Sequence, residues 1–249
     1  MKTPLASILS SKFIFRAATI ALCGLATVNH SIAAPVAIQT GEKLAFLGDS
    51  ITQGGWDNNP GGYVRRVVAG LEANGIKVEP VPAGISGHKS NDMLGRLDRD
   101  VLGKKPNWMT LSCGVNDVWH GANGVPLDKY KENITKIVTT AQEAGVKVVI
   151  LTSTVIGEDL PNANNQKLAA YNDFLRELAK EKKCLLADLN ADMQEIIRKA
   201  NTPGKNVLTG DGVHMNPEGD KVMATGILKA FGLDEAQMAK AREAWNPKK

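Results

Sequence analysis

Four short segments of this 249-residue sequence carry groups that could together perform acyl chemistry. Gly48-Asp49-Ser50 offers a hydroxyl and Ala83-Gly84-Ile85-Ser86 a backbone amide beside glycine. Gly114-Val115-Asn116-Asp117 offers a carboxamide, and Asp211-Gly212-Val213-His214 places a carboxylate three residues ahead of an imidazole. A serine hydroxyl is a weak nucleophile until a base takes its proton. His214 is the candidate base, and Asp211 the candidate partner that fixes its tautomer and steadies the imidazolium. Each group alone has a plainer reading. Ser50 could be a helix N-cap, Gly84 and Asn116 turn residues, and Asp211 and His214 a turn and a helix entry before Asn216-Pro217. Asp49 reads as a buried, turn-stabilising carboxylate.

The elements that would position these groups can be read from the apolar pattern. Strands are predicted at Lys43–Gly48, Lys77–Ala83, Trp108–Gly114, Lys147–Thr154 and Cys184–Leu189. Helical patterns span Tyr63–Asn74, Asp92–Leu102, Asp128–Ala144, Asn165–Lys182, Ala191–Ala200, Pro217–Phe231 and Asp234–Trp245. In Asp128–Ala144, Tyr130, Ile134, Ile137, Val138 and Ala141 recur at three- and four-residue steps, which makes one buried stripe. Asn74-Gly75 and Ala144-Gly145 place glycine just past a helix. Strands separated by helices of this length require crossovers, hence an α/β fold: one doubly wound, five-stranded parallel sheet with helices on both faces. Ligand sites in such sheets lie at the carboxyl ends of the strands, where the first three of these segments fall.

These four segments, in this order and at this spacing, resemble the signature blocks of the SGNH (GDSL-type) hydrolase family, from Lys43 to about Phe231. The resemblance implies a flavodoxin-like SGNH fold and a serine esterase or lipase. It implies Ser50, Asp211 and His214 as the catalytic residues. It also implies an oxyanion hole formed by the amides of Ser50 and Gly84 and the side chain of Asn116. Gly84 would leave a substrate carbonyl free access to its N–H. No Gly-x-Ser-x-Gly elbow, phosphate loop, dinucleotide fingerprint or His-Glu-x-x-His helix is present, so neither cofactor nor metal is expected.

Composition limits the partners. Residues 1–34 hold Lys2, Lys12 and Arg16, no acidic residue, an apolar run Ala17–Val28 and then Ser31-Ile32-Ala33-Ala34, the layout of a secretory signal peptide. The run is short of the roughly 20 residues that span a bilayer. Lipidation at Cys23 is a second route to export, with bulky Leu22 against it. The expected organisation is thus a leader at 1–34 and one hydrolase domain at 35–249, secreted or periplasmic. Without the leader, 30 basic and 26 acidic residues become 27 and 26, which gives no basic surface for nucleic acid. Cys113 and Cys184 lie on strands that the family order would separate by another, so both are expected as buried free thiols.

The expected substrate is a short-chain acyl ester, acetyl foremost, of a carbohydrate. Lysophospholipase, thioesterase or aryl-ester hydrolysis is the alternative, and a non-catalytic carbohydrate-binding module a third. Trp119 and His120 could line a sugar or acyl pocket, or act as a core lid. The Asn162–Asn165 run reads as a solvated helix entrance.

Overall fold

The computed structural model describes residues 35–57, 61–202 and 204–246, together with Met1. The expected leader and Cys23 lie outside the described residues. Strands β1 (Lys43–Gly48), β3 (Trp108–Ser112) and β4 (Lys147–Leu151) are apolar runs buried on both faces, the pattern of strands covered from above and below. With β2 (Glu79–Gly84) and β5 (Leu185–Ala187) at its edges, they form a five-stranded, all-parallel sheet in the order β2-β1-β3-β4-β5.

The crossovers are helical. In chain order the helices are α1 (Ser50–Asp57), α2 (Tyr63–Glu72), α3 (Ser90–Asp100), α4 (Val115–Trp119) and α5 (Leu127–Glu143). They continue with α6 (Ala163–Glu181), α7 (Leu189–Ala200), α8 (Pro217–Ala230) and α9 (Glu235–Trp245). One set packs α2 on α8 and α9, with α7 against α8; the other packs α3 on α5 and α5 on α6. Both sets reach β4, so its two faces are covered, and a single core holds Tyr63, Tyr130, Tyr171 and Phe46 fully buried.

The ends of β3, β4 and β5 come earlier than their apolar runs suggest. Gly114, at φ +134°, turns the chain into α4 two residues after β3. Beyond β4, Thr152 still donates its amide to the Ala187 carbonyl at 3.1 Å, but the Ser153 amide donates to the Asn172 side chain at 2.7 Å, so a side chain replaces the ladder partner there. Asp188 then caps α7, which takes Leu189 out of β5. Helices α1 and α4 went unpredicted, being short and bounded by the strand-end turns themselves.

The outer edge of β2 has a specific chemistry. Glu79 donates its amide to Glu42 and Ile85 donates to Gly48, so odd-numbered amides of this strand face β1. Positions 80, 82 and 84 therefore point outward, and two of the three are prolines, with no N–H to offer. Cys113 and Cys184 are free and separated by β4; Cys113 is buried, whereas Cys184, at the start of the short edge strand, is only half-buried.

Candidate active site

Three of the predicted residues stand in one chain of hydrogen bonds. Ser50 is the first residue of α1, at the carboxyl end of β1, and its Oγ lies 2.9 Å from His214 Nε2. His214 Nδ1 lies 2.7 Å from Asp211 Oδ2. A ring nitrogen facing a carboxylate carries the hydrogen, which leaves Nε2 with a lone pair toward the serine hydroxyl. The second oxygen of Asp211 accepts the amides of Val213 and His214 at 2.9 and 2.7 Å. Burial pushes this carboxyl up, but the His214 ring and the two backbone donors outweigh it and hold the group down at about 2. It is therefore an anion at neutral pH, able to stabilise an imidazolium.

The sharp turn before Ser50 explains Gly48 and Asp49. A Cβ on Gly48 would lie 1.9 Å from Thr52 Oγ1. Asp49 is buried and accepts the Ile51 amide at 3.0 Å, the turn-stabilising role expected of it. Its burial, only partly offset by that amide, raises its pKa to about 6.

The same Asp-x-x-His spacing recurs at Asp117 and His120, but these side chains diverge. Asp117 turns inward to accept the amide and hydroxyl of Ser90 at 3.0 and 2.6 Å, while His120 Nδ1 bonds the Asn116 carbonyl at 2.9 Å. Asn116 is buried on α4, and its Nδ2 donates to the His88 carbonyl at 3.1 Å. This joins α4 to the turn Ile85–His88 that follows β2. Trp119, at the end of α4, is exposed, with its ring centroid 6.4 Å from that of His214.

Gly84 departs from the expectation. Its amide points to the outer edge of β2, and it lines a groove there with Pro80, Pro82 and Arg96. A Cβ at Gly84 would lie 2.3 Å from the Gln53 amide nitrogen, so the backbone of α1 requires glycine here. Gly87, by contrast, has φ +77° and open space where a Cβ would be, beside the His88 carbonyl that receives Asn116.

Several supporting residues carry no motif. Arg96 is buried and donates to the carbonyls of Gly48 and Ala83 at 2.8 and 2.9 Å and to His88 Nδ1 at 3.0 Å, tying together the ends of β1 and β2. Glu158 accepts the amides of Val207, Leu208 and Thr209, directly upstream of the Asp211–His214 loop. Gly157 donates to the Gly212 carbonyl at 2.7 Å. Asn162 and Asn165 do not form a merely solvated entrance. Asn165 accepts the Ile156 amide and donates to the Gly157 carbonyl, and Asn162 donates to the Ile156 carbonyl, so both brace the segment that carries Glu158. Among the described residues, no cluster of three His, Cys, Asp or Glu side chains is disposed to hold a metal ion.

A serine hydroxyl at the tip of a parallel sheet, joined to an imidazole and a carboxylate from one late loop, defines the class. The model of the GDSL-like lipase/acylhydrolase family matches residues 46–222, and the chain belongs to that family, the SGNH serine carboxylic ester hydrolases. Among its relatives, an acetylxylan esterase of Geobacillus stearothermophilus is 29% identical over 217 residues, 79% of this chain and 97% of the relative. The crystal structure of Axe2, an acetylxylan esterase from that organism, has a TM-score of 0.72 at 28% identity and covers 80% of this chain and 97% of its own. That of the acetyl xylan esterase AlAXEase has a TM-score of 0.71 at 34% identity, covering 76% of this chain and 98% of its own. An uncharacterized lipoprotein of Bacillus subtilis is 25% identical over 75% of this chain and 88% of its own length. No described helix is long and apolar enough to cross a membrane.

Proposed function

We propose that the protein is an exported carbohydrate acetylesterase in which Ser50, His214 and Asp211 are the catalytic residues. The observation that carries this reading is the unbroken chain from Asp211 through His214 to the Ser50 hydroxyl. Ser50 Oγ attacks the acetyl carbonyl as its proton passes to His214 Nε2, and the carbonyl oxygen becomes an oxyanion. The C–O bond to the sugar breaks, the leaving oxygen takes the proton from His214, and an acetyl-serine remains. Water then adds, giving a proton to His214; collapse releases acetic acid and returns the proton to Ser50. The charge of Asp211 steadies the imidazolium in both halves.

The oxyanion is held by the Ser50 amide and the Asn116 carboxamide, with the amide of Gly87 as third donor in place of Gly84. Gly87 suits this role because it lies in the turn that Asn116 touches. The acetylxylan esterase relatives favour an acetylated sugar, and the layout of residues 1–34 favours export.

The test is a panel of acetylated xylooligosaccharides and p-nitrophenyl esters from acetyl to palmitoyl, with the wild type and Ser50→Ala. Acetyl esters should turn over best, and Ser50→Ala should lose roughly three to six orders of magnitude in kcat. A preference for long acyl chains would overturn the substrate. Activity, or fluorophosphonate labelling, that survives Ser50→Ala would overturn the nucleophile.

A further inference from the structure

Trp119 is the one large apolar side chain in residues 35–57, 61–202 and 204–246 that is left exposed, at 44%. The other three tryptophans each carry a basic side chain over the ring: Arg65 on Trp56, Lys147 on Trp108 and Arg66 on Trp245. Trp119 instead meets two imidazoles, with centroids 6.0 Å away for His120 and 6.4 Å for His214. Its base is rigid, since Val115, Asn116, Asp117 and Val118 are all buried. An indole so placed is held open by the residues beneath it rather than folded onto the core.

His120 adds a polar group at the same spot. It is exposed, and its Nδ1 is spent on the Asn116 carbonyl at 2.9 Å, so Nδ1 carries the ring hydrogen and Nε2 is an acceptor. The direction of the chemistry says what approaches these two rings. His214 returns its proton to the leaving oxygen, so the alcohol half of the ester must lie against His214, and Trp119 stands at that ring. The oxyanion donor Asn116 lies at the other end of α4, on the side of the carbonyl.

We propose that Trp119 and His120 form the subsite for the alcohol half of the ester, a pyranose ring whose C–H face stacks on the indole while a hydroxyl donates to His120 Nε2. This rests on the carbohydrate acetylesterase reading above. An aromatic face paired with a hydrogen-bond acceptor matches a sugar, which has an apolar face and a rim of hydroxyls. A small alkyl alcohol has neither.

The experiment compares kcat/KM on a fully acetylated methyl xyloside with kcat/KM on ethyl acetate, for the wild type, Trp119→Ala, Trp119→Phe and His120→Ala, with a thermal melt of each. Trp119→Ala should lower the sugar-to-ethyl ratio about tenfold, chiefly by raising KM for the xyloside. Trp119→Phe should restore most of the ratio, and His120→Ala should lower it by a few-fold. A Trp119→Ala ratio within twofold of the wild type overturns the subsite and leaves the esterase reading standing. A wild type that cleaves ethyl acetate but no acetylated xyloside overturns the carbohydrate reading and the subsite with it.

Discussion

Glu158 Oε1 accepts two hydrogen bonds from Thr209, one from its amide at 2.8 Å and one from its hydroxyl at 2.6 Å. Thr209 stands two residues before Asp211, so a carboxylate from the loop after β4 fixes the start of the segment that presents the Asp211–His214 pair. Glu158→Gln would keep one acceptor oxygen but turn an NH2 group toward amides that also donate. The expected result is a fall in kcat of roughly tenfold to a hundredfold from misplaced His214, with a smaller change in KM. Steady-state kinetics beside a thermal melt check it; a stability loss without a kcat loss would show that the clamp serves the fold alone.

Asn116→Ala removes the proposed oxyanion donor and orphans the His88 carbonyl. The protein should remain folded, at a cost of about 1 kcal/mol, and lose roughly two to three orders of magnitude in turnover. Denaturant melts and kcat on an acetyl ester together decide it, and near-normal turnover in the folded variant would remove Asn116 from the site.

Two glycine substitutions should have opposite signs. Gly84→Ala sets a Cβ 2.3 Å from the Gln53 nitrogen and must push α1 off β2, at a cost of roughly 1–3 kcal/mol. Activity should fall too, because Ser50 begins that helix. Gly95→Ala, on the exposed side of α3 with nothing within 4 Å, should stabilise by roughly 0.5–1 kcal/mol. Paired urea titrations provide the comparison.

Asp49 and Asp211 depend on pH in opposite directions. The raised pKa of Asp49 means that the folded protein holds this proton more tightly than the unfolded chain does. That contribution is fully present below about 3.8 and is lost as pH rises through about 6. Asp211, held at about 2, contributes above 3.8 and loses its effect as pH falls through 2. Asp49→Asn keeps an acceptor for the Ile51 amide and removes the charge. Between pH 4 and pH 7 it should gain about 2 kcal/mol relative to the wild type. Chemical denaturation of both proteins at four pH values tests this; parallel pH profiles would contradict it.

The alternation of apolar runs and amphipathic stripes was enough to predict all five strands and seven of the helices, because burial on one or two faces leaves its period in the sequence. Ser50 and Asn116 were legible because strand ends are where such sheets gather ligands, whereas Asp211 and His214, on a loop between α7 and α8, were legible only by their spacing and the family resemblance. The outward direction of the Gly84 amide was not legible, because the direction of an amide depends on strand register, and one residue reverses it. Glu158 and Arg96 left no trace in the sequence, and Asn165 read only as part of a solvated helix entrance: a carboxylate, amide or guanidinium in a polar stretch looks like surface until the fold brings a carbonyl or an amide against it. The end of β4 was overrun because Thr152–Thr154 stay buried and β-branched or small, while the amide and carbonyl of Ser153 turn to the Asn172 side chain.

Pro80 and Pro82 occupy two of the three outward amide positions of β2, and Gly84 at the third lies at the strand's end. A second chain laid along that edge would find carbonyls but almost no donors, so β2 cannot serve as a template for strand addition. Copies of this protein can therefore associate on that side only through side chains and helices. A partly folded chain that exposes β2 likewise offers no seed for cross-β growth there.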